Sequence, residues 1–99
     1  MEKKEIVFKK VEQVFYNHGY ERFEMEKEFG KYVCYKTPKG DFVMLDHFSK
    51  SYVIEWAENE KEARDYIFED TDLFDDGKSV EEIVSEIDAW LVKYIDNDE

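Results

Sequence analysis

Apolar residues return at three- and four-residue steps along residues 2–18. Ile6, Val7, Val11, Val14 and Phe15 mark one stripe, and Lys3, Lys4, Lys9, Lys10 and Glu12 fall mostly between them. That spacing predicts an amphipathic helix, with Gly19 where a left-handed cap would end it. The period then falls to two. In residues 21–29, Phe23, Met25 and Phe29 share one face and Arg22, Glu24, Glu26 and Glu28 the other, as in a strand with one wet side. Gly30-Lys31 reads as a turn. Residues 32–37, rich in aromatic and β-branched side chains, form a second strand. Pro38-Lys39-Gly40-Asp41 carries turn chemistry. Residues 42–48 are a third strand, Ser49-Lys50 a short hairpin loop, and residues 52–57 a fourth strand with Tyr52, Ile54 and Trp56 on one face.

Beyond the fourth strand the pattern turns helical again. Asn59 and Glu62 match a capping box, so a short helix is expected over residues 60–69 with Ala63, Tyr66 and Ile67 inward. Residues 70–78 read as an acidic loop. Ser79 and Glu82 form a second capping box, opening a helix over residues 79–95 striped by Val80, Ile83, Val84, Ile87, Trp90, Leu91, Tyr94 and Ile95. The order α-β-β-β-β-α-α predicts a single α+β domain: a four-stranded antiparallel meander with helices from both ends covering one face.

Charge changes this picture more than composition does. Residues 1–57 hold 10 acids and 10 bases; residues 58–99 hold 16 acids against 4 bases, so the whole net charge of −12 lies in the second segment. Such a field draws basic surfaces and repels nucleic acid and anionic lipid, so neither nucleic acid nor membrane is expected as a partner. An aromatic content of 17% excludes a disordered acidic tail. Cys34 is the only cysteine; it rules out an internal disulfide and fits a reducing compartment. The apolar run after the first five residues, Ile6 to Phe8, is too short for a signal peptide. The expectation is a cytoplasmic protein.

Catalytic and metal chemistry find little support. An EF-hand loop needs oxygen ligands at its first, third and fifth positions, glycine at the sixth and glutamate at the twelfth. Starting at Asp72 puts Phe74 third and Ile83 twelfth; starting at Asp70 puts Phe74 fifth. Cys34 and His47 lie on neighbouring strands, but the simpler reading is a small core residue and a strand-end histidine. His18 suits a helix C-terminus, where it offsets the dipole. The glycines are isolated, so no phosphate loop is present. No enzyme, cofactor or metal is expected.

The acidic segment is the better candidate for function. DNA carries a negative charge per about 1.7 Å of axis, and carboxylates spread along helices and a loop imitate that density. Leu73 and Phe74, flanked by acids, would supply an apolar anchor. In the plainer alternative Phe74 tucks under its own loop and the acids only solubilise the chain.

Residues 52–63 (YVIEWAENEKEA) and 68–74 (FEDTDLF) resemble small immunity proteins of bacterial polymorphic toxin systems, in which a strand ending in Ala-Glu-Asn leads to a short helix and a Phe-Glu-Asp loop. The likeness covers about a quarter of the chain. It implies a cytosolic antidote that binds and blocks a toxin, with Glu58, Asn59, Glu69, Asp70 and Asp72 at the matching positions. The expected partner is a basic protein such as a toxin or nuclease domain. Trp56, Phe68 and Phe74 are the candidate apolar contacts, and Glu58, Glu69, Asp70, Asp72, Asp75 and Asp76 the candidate charged ones. The alternative is a small bacterial or phage interaction module without catalysis, a homodimer through an open sheet face.

Overall fold

The computed structural model describes residues 2–97 and shows an α+β fold. The first helix, α1 (Lys3–Asn17), buries Val7, Val11, Val14 and Phe15. It ends as its sequence predicts. Gly19 takes φ 82°, its N–H bonds to the Tyr16 carbonyl, and the Tyr20 N–H reaches back to Phe15. This pair of bonds closes a Schellman cap.

Four strands follow: β1 (Glu21–Lys27), β2 (Gly30–Lys36), β3 (Phe42–Phe48) and β4 (Ser51–Ala57). Their turns come close to expectation. The β1–β2 turn, Glu28-Phe29, lies two residues earlier than predicted, because Gly30 already pairs with Lys27. Phe29 therefore sits in the turn, exposed, rather than on the strand face with Phe23 and Met25. Ser49 adopts a left-handed φ of 59° in the β3–β4 loop.

The sheet has five strands, not four. The predicted acidic loop contains β5 (Glu69–Asp75), which pairs antiparallel with β4 and completes the order β1-β2-β3-β4-β5. Only Phe74 of this strand is buried. Its place is set by ladder pairing on an edge rather than by an apolar face, which is why alternation did not reveal it. A bulge interrupts the β4–β5 register between Ile54 and Glu55, and the Thr71 hydroxyl ties across it to the Ile54 carbonyl at 2.6 Å.

To make room for β5, the preceding helix α2 shrinks to Glu60–Arg64. Its stop is a second Schellman cap, with Tyr66 N–H on Ala63 and Ile67 N–H on Glu62. Here a tyrosine, not a glycine, takes the left-handed position, at φ 58°. Nothing local in the sequence marks that stop. Ile67 is consequently 52% exposed rather than inward, while Ala63 is buried as expected.

The last helix, α3 (Val80–Trp90), opens on the predicted Ser79–Glu82 capping box. It runs on into a π-helical turn, Leu91–Ile95, closed by the Asp96 N–H on the Leu91 carbonyl at 2.9 Å. The buried residues Ile83, Ile87, Leu91 and Ile95 recur every four positions. In an α-helix that spacing drifts by about 40° per step. The wider π turn returns Ile95 to the buried side.

Two apolar layers result. On the helix face, α1 and α3 pack on Tyr35, Val43, Tyr52, Ile54 and Phe74. On the second face, Met25, Cys34, Phe42, Met44 and Ala57 pack against Ala63 of α2. Helices from both ends therefore cover one face, as predicted, but α2 lies on the other. β3 and β4 pair along their full length. β2 and β3 pair only at Tyr35–Val43 and Lys36–Phe42, and a cleft of about 300 Å³ opens where they diverge.

Candidate functional site

On the helix face, beside the start of β5, lies a groove of about 450 Å³ walled by Trp56, Trp90 and Tyr94 and edged by Asp41, Asp72 and Lys39. Each wall residue is placed by a local feature. The turn before β3 is tied by the buried Thr37, whose hydroxyl donates to the Asp41 carboxylate. The second oxygen of Asp41 accepts the Trp56 indole N–H at 2.7 Å. Trp90 stands edge-on over Phe74, with ring centres 6.3 Å apart. The π turn carries Tyr94 beside Trp90 at 5.4 Å and leaves it 56% exposed. The β-bulge brings Thr71 and Asp72 to the rim. A π turn and a bulge converge on one groove, and both irregularities concentrate at functional sites.

Chemically, the groove offers aromatic faces to a cation and two carboxylates to its charge. Lys39 already brings one positive charge to the rim, but its Nζ is held by the Asn97 carbonyl at 3.1 Å. Asp72 keeps one oxygen clear of the Leu73 N–H that the other accepts at 2.9 Å.

The second face holds a different polar group. Glu55 stands opposite Asp70 in the ladder and diagonal to Asp46, and its Oε1 is buried without a hydrogen-bond partner. Burial, then the neighbouring Asp46 and Asp70 carboxylates, push its pKa up to about 7. Around it, Tyr66 packs against Phe29 and Tyr32 at 4.8 Å and against Phe68 at 5.7 Å. The Tyr32 hydroxyl donates to the Ala63 carbonyl at 2.5 Å, anchoring α2.

Next to the groove, across Lys39, His18 bridges two helices. Its Nε2 lies 2.6 Å from Asp88 and its Nδ1 contacts Asp96, which also accepts the Tyr20 hydroxyl at 2.7 Å. Burial works against a charged ring, but the bonds to Asp88 and Asp96 outweigh it and raise the pKa. An imidazolium donates from both nitrogens and so satisfies both carboxylates. The helix-end position was legible in the sequence; the clamp was not.

The predicted contact residues do not form one surface. Trp56 and Asp72 meet in the groove. Glu69, Asp70 and Asp72 are exposed along β5. Phe68 belongs to the aromatic group of the second face. Glu58 is exposed at the strand-to-helix junction, where its N–H donates to Glu62. Phe74 is only 5% exposed, because β-pairing turns it under α3, so it supports Trp90 rather than offering an anchor; Leu73, beside it, is the exposed one. Asp75 and Asp76 are engaged at the chain turn after β5. Asp75 accepts the Gly77 N–H at 2.8 Å, and Asp76 faces His47 Nε2 at 2.9 Å.

Cys34 and His47 sit on opposite faces of the sheet and form no dyad. Cys34 is fully buried beside the Met25 sulfur, and burial pushes its thiol up to about 11. His47 packs on Tyr52, on the helix face. Among the described residues, no group of three His, Cys, Asp or Glu side chains is arranged to hold a metal, and no helix is long and apolar enough to cross a membrane.

Trp90, Tyr94 and Asp41 were the site residues that sequence reasoning missed. Trp90 and Tyr94 matched the core stripe, and only the unbroken four-residue spacing of Ile83, Ile87, Leu91 and Ile95 hinted that the helix changes pitch there. No known family model, curated protein or solved structure matches this chain.

Proposed function

We propose that this chain is an acidic binding protein that neutralises a basic protein partner, in the manner of a cytoplasmic immunity protein that occludes a bacterial toxin or nuclease domain. One observation carries the reading. The segment holding all the net charge supplies an edge strand whose Glu69, Asp70, Asp72 and Asp75 are exposed, next to a groove with aromatic walls. Long-range attraction would bring the partner in, and desolvated aromatic contact would hold it. The edge strand favours a basic partner over a second copy of itself, because like-charged edges repel.

A lysate pull-down with the purified chain, washed at about 50 mM and then about 300 mM salt, tests this. A basic toxin or nuclease domain held at low salt and shed at high salt is the expected result. Replacing Glu69, Asp70 and Asp72 by Gln, Asn and Asn should release the partner even at low salt. Binding that ignores both salt and these substitutions would remove the reading. The second face favours one other function, a homodimer, through Phe29, Ile67 and Leu73, which are 62%, 52% and 59% exposed. A mass that rises with concentration in sedimentation equilibrium, and falls back in Leu73→Asp, would favour that alternative.

A further inference from the structure

The groove beside β5 has a chemistry more specific than negative charge. We infer that it is the receptor for one arginine side chain of the basic partner, laid on the exposed Tyr94 ring beside Trp56 and Trp90, with its guanidinium reaching Asp72. This rests on the reading of the chain as a binder of basic proteins.

A volume of about 450 Å³ falls within the range of side-chain-sized and small-ligand sites. Three aromatic rings, Trp56, Trp90 and Tyr94, stand in its lining beside the carboxylates of Asp41 and Asp72. Tyr94 is 56% exposed, with Trp90 at 5.4 Å and the Lys93 Nζ 5.2 Å from its ring centre, so the ring already takes a cation that an arriving guanidinium would displace. A guanidinium stacks on such faces and is more weakly hydrated than an ammonium, so it loses less on entering. The acceptors are fixed before a ligand arrives. Asp41 is held by the Thr37 hydroxyl and the Trp56 indole, and Asp72 is held at one oxygen by the Leu73 N–H. A neutral aromatic ligand would gain nothing from these carboxylates, and an anionic one would meet a chain of net charge −12. Two lysines oppose a cation: Lys93, whose Nζ lies 5.2 Å from the centre of the Tyr94 ring, and Lys39. The Lys39 Nζ rests on the Asn97 carbonyl, 3.1 Å away, so it sits at the rim, where its removal should improve binding.

The opposed signs of two substitutions make the test sharp. The probes are N-acetyl-arginine methylamide and its neutral isostere N-acetyl-citrulline methylamide, titrated into the full chain while the two indole N–H signals are followed by NMR. Saturable shifts of the Trp56 and Trp90 signals by the arginine probe, with a millimolar Kd, are expected; the citrulline probe should produce none. Tyr94→Ala should weaken the arginine site about threefold or more, and Lys39→Gln should tighten it about twofold. Both positions are exposed, so both variants should keep the parent's spectrum outside the groove. Equal shifts from the two probes, no saturation, or weaker binding in Lys39→Gln would overturn the inference. Its failure is separable from that of the broader reading. A salt-sensitive basic partner that binds Tyr94→Ala as well as the parent overturns the arginine site alone. A saturable arginine site in a chain that captures no basic protein supports the site and removes the broader reading.

Discussion

The two faces of the sheet are built on different principles. The helix face is closed by α1 and α3 around Phe15, Ile54, Ile83, Ile87 and Leu91, each at most 1% exposed, and its polar groups are paired: His18 with Asp88 and Asp96, Trp56 with Asp41. The second face is closed only in part, by a five-residue helix. It leaves Phe29, Tyr66 and Ile67 at the surface and sets three carboxylates side by side. One face holds most of the apolar burial that stabilises the fold. The other carries electrostatic tension and an incomplete cover. A small acidic domain can tolerate the second because the first is closed.

Truncation should separate the faces most widely. Ile87 is fully buried between helix and sheet, so Ile87→Ala should cost about 3–4 kcal/mol, a large share of the stability of a small domain. Phe68, half-buried on the second face, should cost about 1–2 kcal/mol as Phe68→Ala, because part of its surface is already wet. Urea unfolding checks both. Equal losses would mean that α2 closes its face as fully as α3 does, and the contrast would be gone.

The next effect is on pH dependence, and both faces contribute with the same sign in different windows. Glu55 has a folded pKa of about 7 against an ordinary 4.5. The folded state therefore binds its proton more tightly than the unfolded one does. Stability from this group is fully present below about 4.5 and is lost as pH rises towards about 7. Glu55→Gln should flatten that part of the profile and make the protein more stable at neutral pH. His18 is likewise raised, by its two aspartates against the cost of burial. Its contribution is present below the unfolded value of 6.5 and is lost as pH rises through the higher folded value. His18→Gln should flatten the upper part only. Urea midpoints measured from about pH 4 to about pH 9 on the parent and both variants would resolve the two windows. A Glu55→Gln profile that still falls between 4.5 and 7 would place the tension elsewhere.

The sequence made the helix face legible and much of the second face illegible. Val7, Val11, Val14 and Phe15 announce α1 by period. Ser79 and Glu82 announce α3 by chemistry, and Tyr52, Ile54 and Trp56 announce their shared face by alternation. These are local signals that tertiary packing then reinforces. β5 has no such signal. Glu69, Asp70, Asp72 and Asp75 are poor strand formers, and their conformation follows from the free edge of β4 rather than from their own preference. The stop at Tyr66 was hidden because a tyrosine holds a place where glycine is usual. The groove was half-visible for a similar reason. Trp56 and Asp72 stood out by type and charge, but Trp90 and Tyr94 were absorbed into a stripe whose pitch changes at Leu91. The clustering of Asp46, Glu55 and Asp70 depends on register across three strands, which no local pattern encodes.

The smallest contrast lies in two caps, a full capping box at Ser79–Glu82 and a half-formed one at Asn59, whose Glu62 takes the Glu58 N–H instead. Asn59 accepts the Glu62 N–H at 3.0 Å, and Ser79 accepts the Glu82 N–H at 3.2 Å. Taken locally, replacing either by alanine costs about 1 kcal/mol. Their helices differ in what depends on them. α3 presents Ile83 and Ile87 to the core within its first turns, so fraying its start would loosen buried contacts. α2 presents only Ala63, and the Tyr32 hydroxyl holds its far end at the Ala63 carbonyl. Ser79→Ala should therefore cost the full amount in global unfolding. Asn59→Ala should cost less globally and appear instead as faster hydrogen exchange confined to α2. Equal global costs would show that the short helix is as tightly coupled to the fold as the long one, and the second face would have to be counted as closed.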